Sequence, residues 1–321
     1  MSQANATPTA YHIIDDEAQQ VNDWIKLGLR IGVASALHPF EYAKVLMQIG
    51  FEPIAPVPGR TIFGRPALVL PNIFTYTGYI KNIDGFTGLF RGLSPKLAGM
   101  ILSSCVSEKV ADRCGLAAVE LPKKDEELSD EERYTFMVRQ LSRDIVLHTT
   151  GIVVSHPLHV VSVRMMAQFV GKEVKYKSIF GSLLTIWREE GILGFFSGLF
   201  PRLIADLACL ILATSTTYLV NKHIIAEKEH QVYFGSFNTF IWAGILYPFH
   251  LVSTCTIVSG TGLAAGRPPI MPLYNNWVHC YKNLKREGDM KRGSSVFFRY
   301  AKKVQKPIYD SRAPYPTLKL Y

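Results

Sequence analysis

Charge is scarce in this chain of 321 residues. Asp, Glu, Lys and Arg supply 19% of it, whereas about 25% is usual in a soluble domain. Cysteine is scarce too. Cys105, Cys114, Cys209, Cys255 and Cys280 are odd in number and lack a Cys-x-x-Cys pair, which argues against a disulfide scaffold and a zinc ribbon. Glycine (24) and proline (18) are too few for a low-complexity or fibrous chain. Residues 1–25 hold no Lys or Arg but carry Asp15, Asp16, Glu17 and Asp23. That pattern excludes an Arg-rich transit peptide and a positively charged signal-peptide start. No cleavable presequence is expected, so any membrane insertion must use internal segments.

Apolar residues, in contrast, make up 48%, and the mean hydropathy is +0.12. Residues 231–266 run without a single charge, well beyond the roughly 20 residues a spanning helix needs. Residues 145–163 and 207–221 are two further uncharged runs. Residues 23–50 and 94–111 are weaker candidates, studded with charge. The net charge of +9 is concentrated near one end, because residues 282–321 hold 11 Lys and Arg against 3 Asp and Glu. Such a basic tail suits anionic phospholipid headgroups or plain solvation, while the near-neutral body does not suit nucleic acid.

Repetition organises these segments. One kernel occurs three times: Leu37-His38-Pro39-Phe40-Glu41-Tyr42-Ala43-Lys44, Ser155-His156-Pro157-Leu158-His159-Val160-Val161-Ser162, and Leu246-Tyr247-Pro248-Phe249-His250-Leu251-Val252-Ser253. A second kernel follows each first one. It reads Asp84-Gly85 through Phe90-Arg91-Gly92-Leu93-Ser94-Pro95-Lys96, then Glu190-Gly191 through Phe196-Ser197-Gly198-Leu199-Phe200-Pro201-Arg202, then Glu287-Gly288 through Gly293 to Phe297-Phe298-Arg299. A proline inside a helix removes a backbone hydrogen bond and kinks it, so Pro39, Pro157 and Pro248 let three helices converge at one end.

On these kernels the chain resembles the mitochondrial carrier family over residues 23–299. The resemblance implies an all-α membrane protein of three repeats, each a kinked span, a surface helix and a second span. Two departures stand out. Only the first repeat keeps the acidic and basic pair, as Glu41 and Lys44; the second has His159 and Ser162, with Arg164 two further on, and the third has His250 and Ser253. Three ion pairs cannot close a gate from one acid and one base. Secondly, residues 300–321 are too polar to cross hydrocarbon, so a sixth span is expected to be missing and a groove to open laterally to lipid. The expected division is a polar segment 1–22, repeats at 23–116, 137–226 and 227–299, an acidic loop 117–136 and a basic tail 300–321.

These departures resemble the divergent outer-membrane branch of that family. The likeness implies a multi-pass protein of the mitochondrial outer membrane that inserts α-helical, notably tail-anchored, proteins. It also implies lipid scrambling and docking of a truncated pro-apoptotic protein. A degenerate solute carrier and a receptor scaffold are the alternatives. Physically, an insertase needs ionisable groups at membrane depth on an open wall, because a charge at the bilayer centre costs about 2.5–3.5 kcal/mol on insertion scales. The candidates are Glu41, Lys44, His156, His159, Arg164, Asp206, Tyr247 and His250. No cofactor, metal or covalent chemistry is expected, and the protein is read as a non-enzyme.

Each candidate has a plainer role open to it. Glu41 can pair with Lys44 on one helix face, and Asp206 with Arg202. His156 and His159 have metal-ligand spacing but lack a clear third ligand. Tyr247 stands where His38 and His156 stand, so its hydroxyl is expected where their imidazoles point. Gly28 with Gly32, and Gly194 with Gly198, are read as close helix-packing contacts. The glycine-rich stretch 260–266 is not a phosphate loop, since no Lys-Ser/Thr follows.

Overall fold

The computed structural model describes residues 10–116, 129–224 and 228–301, with side chains from residue 25 onward apart from those of residues 228, 229 and 232. The basic tail expected at residues 300–321 and the expected loss of a sixth span therefore lie almost wholly outside the described residues.

Helix α1 (Ala10–Ile49) contains Pro39, and is followed by a hairpin of β1 (Val57–Arg60) and β2 (Pro66–Val69). Helices α2 (Ile73–Gly88) and α3 (Leu93–Arg113) complete the first repeat. The second comprises α4 (Asp130–Ala167) with Pro157 inside it, α5 (Ile179–Glu190) and α6 (Leu199–His223). The third comprises α7 (Lys228–Val258) with Pro248 inside it, and α8 (Trp277–Glu287).

Two expected boundaries shift. Helix α1 already begins at Ala10, inside the segment read as polar lead. Helix α4 begins at Asp130, inside the expected acidic loop, because Ser129 and Glu132 form a reciprocal capping box that starts the helix there. Of the five expected spans, α4, α6 and α7 are long and apolar enough to cross a membrane. Helices α1 and α3 have the length but carry too much charge to qualify on composition.

Packing is uneven around the bundle. Helix α3 runs along α4 and α6 runs along α7 as two extensive pairs, whereas α1 has no such companion among the described residues. The core lies at one end, where the segments after the three prolines converge. Tyr42, Leu46 and Ile49 of α1 meet Val160 and Met166 of α4 and Leu251 and Ile257 of α7, all fully or nearly fully buried. Residues 25–37 of α1 include no buried side chain. Gly28 and Gly32 have nothing within 4 Å of where a side chain would start. The expectation that they mark a close helix contact is thus corrected: their spacing permits such a contact, but no described helix occupies it.

Candidate functional site

The three repeats are tied by one recurring hydrogen bond. Nε2 of His38 lies 3.0 Å from the Arg91 carbonyl, and Nε2 of His156 lies 2.9 Å from the Ser197 carbonyl. A carbonyl can only accept, so Nε2 carries the proton in both rings. The Tyr247 hydroxyl donates to the Arg292 carbonyl at 2.7 Å. The side chain before each kink proline therefore latches the residue preceding Gly92, Gly198 or Gly293. Those glycines have φ of 85°, 73° and 75°, a left-handed conformation that other residues adopt only with strain. The hydroxyl of Tyr247 does lie where the imidazoles point.

A second contact joins neighbouring repeats. Ser162 Oγ donates to the Gly92 carbonyl at 2.7 Å, and Ser253 Oγ donates to the Gly198 carbonyl at 2.8 Å. These serines occupy the place that Lys44 holds in the first repeat, and their short hydroxyls bond the backbone there. The third seam differs. Lys44 holds the corresponding place, but its ammonium sits 5.6 Å from the centre of the Tyr247 ring. Gln48 closes this seam by donating to the Tyr247 hydroxyl at 3.1 Å, while Arg292 Nε donates to the Gln48 carbonyl at 2.9 Å.

On the other side of these seams, α1, α3, α4, α6 and α7 surround a cavity of about 520 Å³. Glu41, Lys44, His159, Asp206, Tyr247 and His250 line it, and so do Arg30, Gln48, Lys96 and Arg202, which the sequence reading had not proposed. Charges at this depth are costly unless paired, and most have partners. Glu41 pairs with Lys96 of α3 rather than with Lys44. Asp206 lies 3.6 Å from Arg202 and 3.4 Å from His250 Nε2, so it bridges α6 to α7 as well as making the pair within its helix. Four cations (Arg30, Lys44, Lys96, Arg202) face two carboxylates, leaving the cavity formally positive with its histidines neutral.

Two proposed groove residues lie elsewhere. Arg164 has no exposed surface; it grips Glu190 with two nitrogens at 2.5 and 2.8 Å and donates to the Ile257 carbonyl at 3.0 Å. It is a strut between α4, the end of α5 and α7. His156 is buried with Nε2 committed to its latch, while Nδ1 faces Arg202 at 3.4 Å. Its ring lies 5.9 Å from that of His159. Among the described residues no group of three His, Cys, Asp or Glu side chains is arranged to hold a metal ion.

The signal for Lys96 was present in the sequence, and Arg202, already read as a partner of Asp206, carries the same one. Lys96 follows Pro95 and Arg202 follows Pro201 in the second kernel, so the same basic residue recurs one step after a proline in two repeats. Lys96 reaches Glu41 of the first kernel, and Arg202 reaches Asp206 one turn further along α6.

A profile of the mitochondrial carrier protein family matches residues 146–228. Mitochondrial carrier homolog 2 of Homo sapiens is 39% identical over 280 residues, covering 84% of this chain and 91% of its own length. Mitochondrial carrier homolog 1 of Mus musculus is 34% identical over 299 residues, covering 85% of this chain and 75% of its own. Solute carrier family 25 member 45 of Homo sapiens is 30% identical over 152 residues, about half its length at 49%. With its threefold latches, three helices among the described residues fit to cross a bilayer and these near full-length relatives, the chain belongs to the mitochondrial carrier homolog family and is a mitochondrial membrane protein.

Proposed function

We propose that this protein inserts α-helical, notably tail-anchored, proteins into the mitochondrial outer membrane. The observation that carries this reading is the bare flank of α1. Ile25, Leu29, Val33 and Leu37 recur every four residues along it, all exposed, with Leu29 at 69%. Beside them lie Gly28 and Gly32 with open space in front. An apolar stripe next to a small-xxx-small pair is a surface that accepts another helix closely in lipid. Helix α7 likewise exposes Phe237, Ile241 and Ile245.

A client helix placed against this flank would remain in contact with lipid while its polar terminus passed the charged cavity. The charges there lower the cost of moving a polar terminus through hydrocarbon, and no covalent step is needed. Phospholipid headgroups meet the same requirement, so scrambling of lipids belongs to this reading. Docking of a truncated pro-apoptotic protein is a further role of this reading and rests on the family likeness alone. A solute carrier needs ion pairs between its three kernels to close a gate; among the described residues Glu41, Lys44, His159 and His250 form none with one another.

The test is insertion of a radiolabelled tail-anchored protein into liposomes with and without the purified chain, read as protease protection of the tail. Protection that depends on the chain is the expected result. Equal protection without it, in vesicles where the chain is folded, would sink the insertase reading in favour of a docking scaffold.

A further inference from the structure

The hairpin between α1 and α2 is absent from the second and third repeats and plays no part in the cavity. Its turn is tightly made: Thr61 N donates to the Arg65 carbonyl at 2.7 Å and Gly64 N to the Thr61 carbonyl at 2.9 Å. This turn holds Ile62 and Phe63 out of the protein, with Phe63 90% exposed. Arg60 and Arg65 flank the tip, both exposed. From Pro53 to Ile83 the chain has no acidic residue.

A lone two-stranded hairpin is marginal in water. This one is braced by the chain after α8. Leu70 N donates to the Arg299 carbonyl at 2.9 Å, Ala301 N to the Leu68 carbonyl at 2.8 Å, and Ile62 N to the Tyr300 hydroxyl at 3.1 Å. The Arg299 guanidinium in turn donates to the Pro71 carbonyl at 2.9 Å and pairs with Glu52, whose carboxyl burial pushes above its usual range. An apolar tip is thus presented in a fixed pose.

Its level in the molecule agrees with a bilayer surface. The hairpin springs from the end where α1, α4 and α7 all finish. At that end α5 turns Phe180, Leu184 and Trp187 outward at helical spacing, and Phe74 and Phe297 lie exposed in ring contact. Aromatic residues collect at membrane–water boundaries in this way.

We propose that the hairpin is a lipid anchor: Ile62 and Phe63 seat in the boundary between headgroups and acyl chains, and Arg60 and Arg65 bind phosphates of anionic phospholipids. Each arginine near such a surface contributes enough for roughly a fivefold change in occupancy. The test places a photo-crosslinker by Phe63→p-benzoyl-phenylalanine in the full-length chain, reconstituted in phosphatidylcholine vesicles containing radiolabelled phosphatidylinositol. The same replacement at Phe237 on α7 serves as the reference for a lipid-facing position. A labelled lipid adduct at position 63 is expected, falling about fivefold for each of the charge-removing variants Arg60→Gln and Arg65→Gln while the adduct at 237 is unchanged. No adduct at 63 beside a normal one at 237 would overturn the proposal. So would a protein adduct replacing the lipid one in whole mitochondrial membranes, which assigns the tip to a protein partner.

Discussion

Asp206 and Arg164 are both charges beside a kinked helix, Asp206 half-buried and Arg164 fully buried, and their surroundings assign them opposite roles. Asp206 faces the cavity with two imperfect partners at 3.6 and 3.4 Å, so its charge is still available to a passing group. Asp206→Arg is expected to slow insertion about tenfold, a barrier change of about 1.4 kcal/mol, with abundance and melting temperature close to the parent's. Normal insertion by that variant at normal abundance would remove the cavity from the mechanism. Arg164 is closed off, and removing one member of such a pair strands the other. Arg164→Met is expected to cost about 3–5 kcal/mol of stability, read as a lowered melting temperature in detergent, and Arg164→Met with Glu190→Met to recover most of it. The sequence could not separate the two residues, because spacing from a proline gives depth along a helix but not which neighbour fills the space opposite.

At the scale of elements, the latches explain why triplication was so legible. A kinked helix must be fastened to the turn beyond the next helix, and the fastening needs a ring or hydroxyl before proline and a left-handed glycine in that turn. Those needs, with the glycine falling just after the surface helix α2, α5 or α8 in each repeat, leave residues at fixed places, so His38, His156 and Tyr247 could be aligned from the sequence and found in equivalent contacts. The substitute seam at Gln48 left no such mark, since nothing in the first kernel distinguishes that residue from a surface glutamine. A side-chain carbon at Gly198 would stand 2.6 Å from the Ser253 carbonyl oxygen in a backbone conformation unsuited to alanine. Gly198→Ala is therefore expected to destabilise by several kcal/mol, whereas Ser253→Ala loses one hydrogen bond worth about 0.5–1.5 kcal/mol. Urea or thermal melts of the two variants would rank them, and a larger loss for Ser253→Ala would contradict the seam described above.

At the scale of the whole molecule, two extensive helix pairs and one helix unaccompanied among the described residues set where a client would lie on the insertase reading. A photo-crosslinker at Leu29 is expected to capture an arrested client helix, and one at Phe180 on the surface helix to capture none, read by gel shift of the labelled client. Capture at both positions would mean that the flank of α1 has no special part. Helix α1 itself has an unequal build. Past Pro39 it is gripped by the core, while residues 25–37 are held by little and extend about 20 Å at 1.5 Å per residue. That makes it a cantilever with its fulcrum at the proline, where one backbone hydrogen bond is already missing. A few degrees of bend there, requiring no change in the clamped root, moves the far end by ångströms, so on the insertase reading helices of different girth would find room without a separate fitting for each.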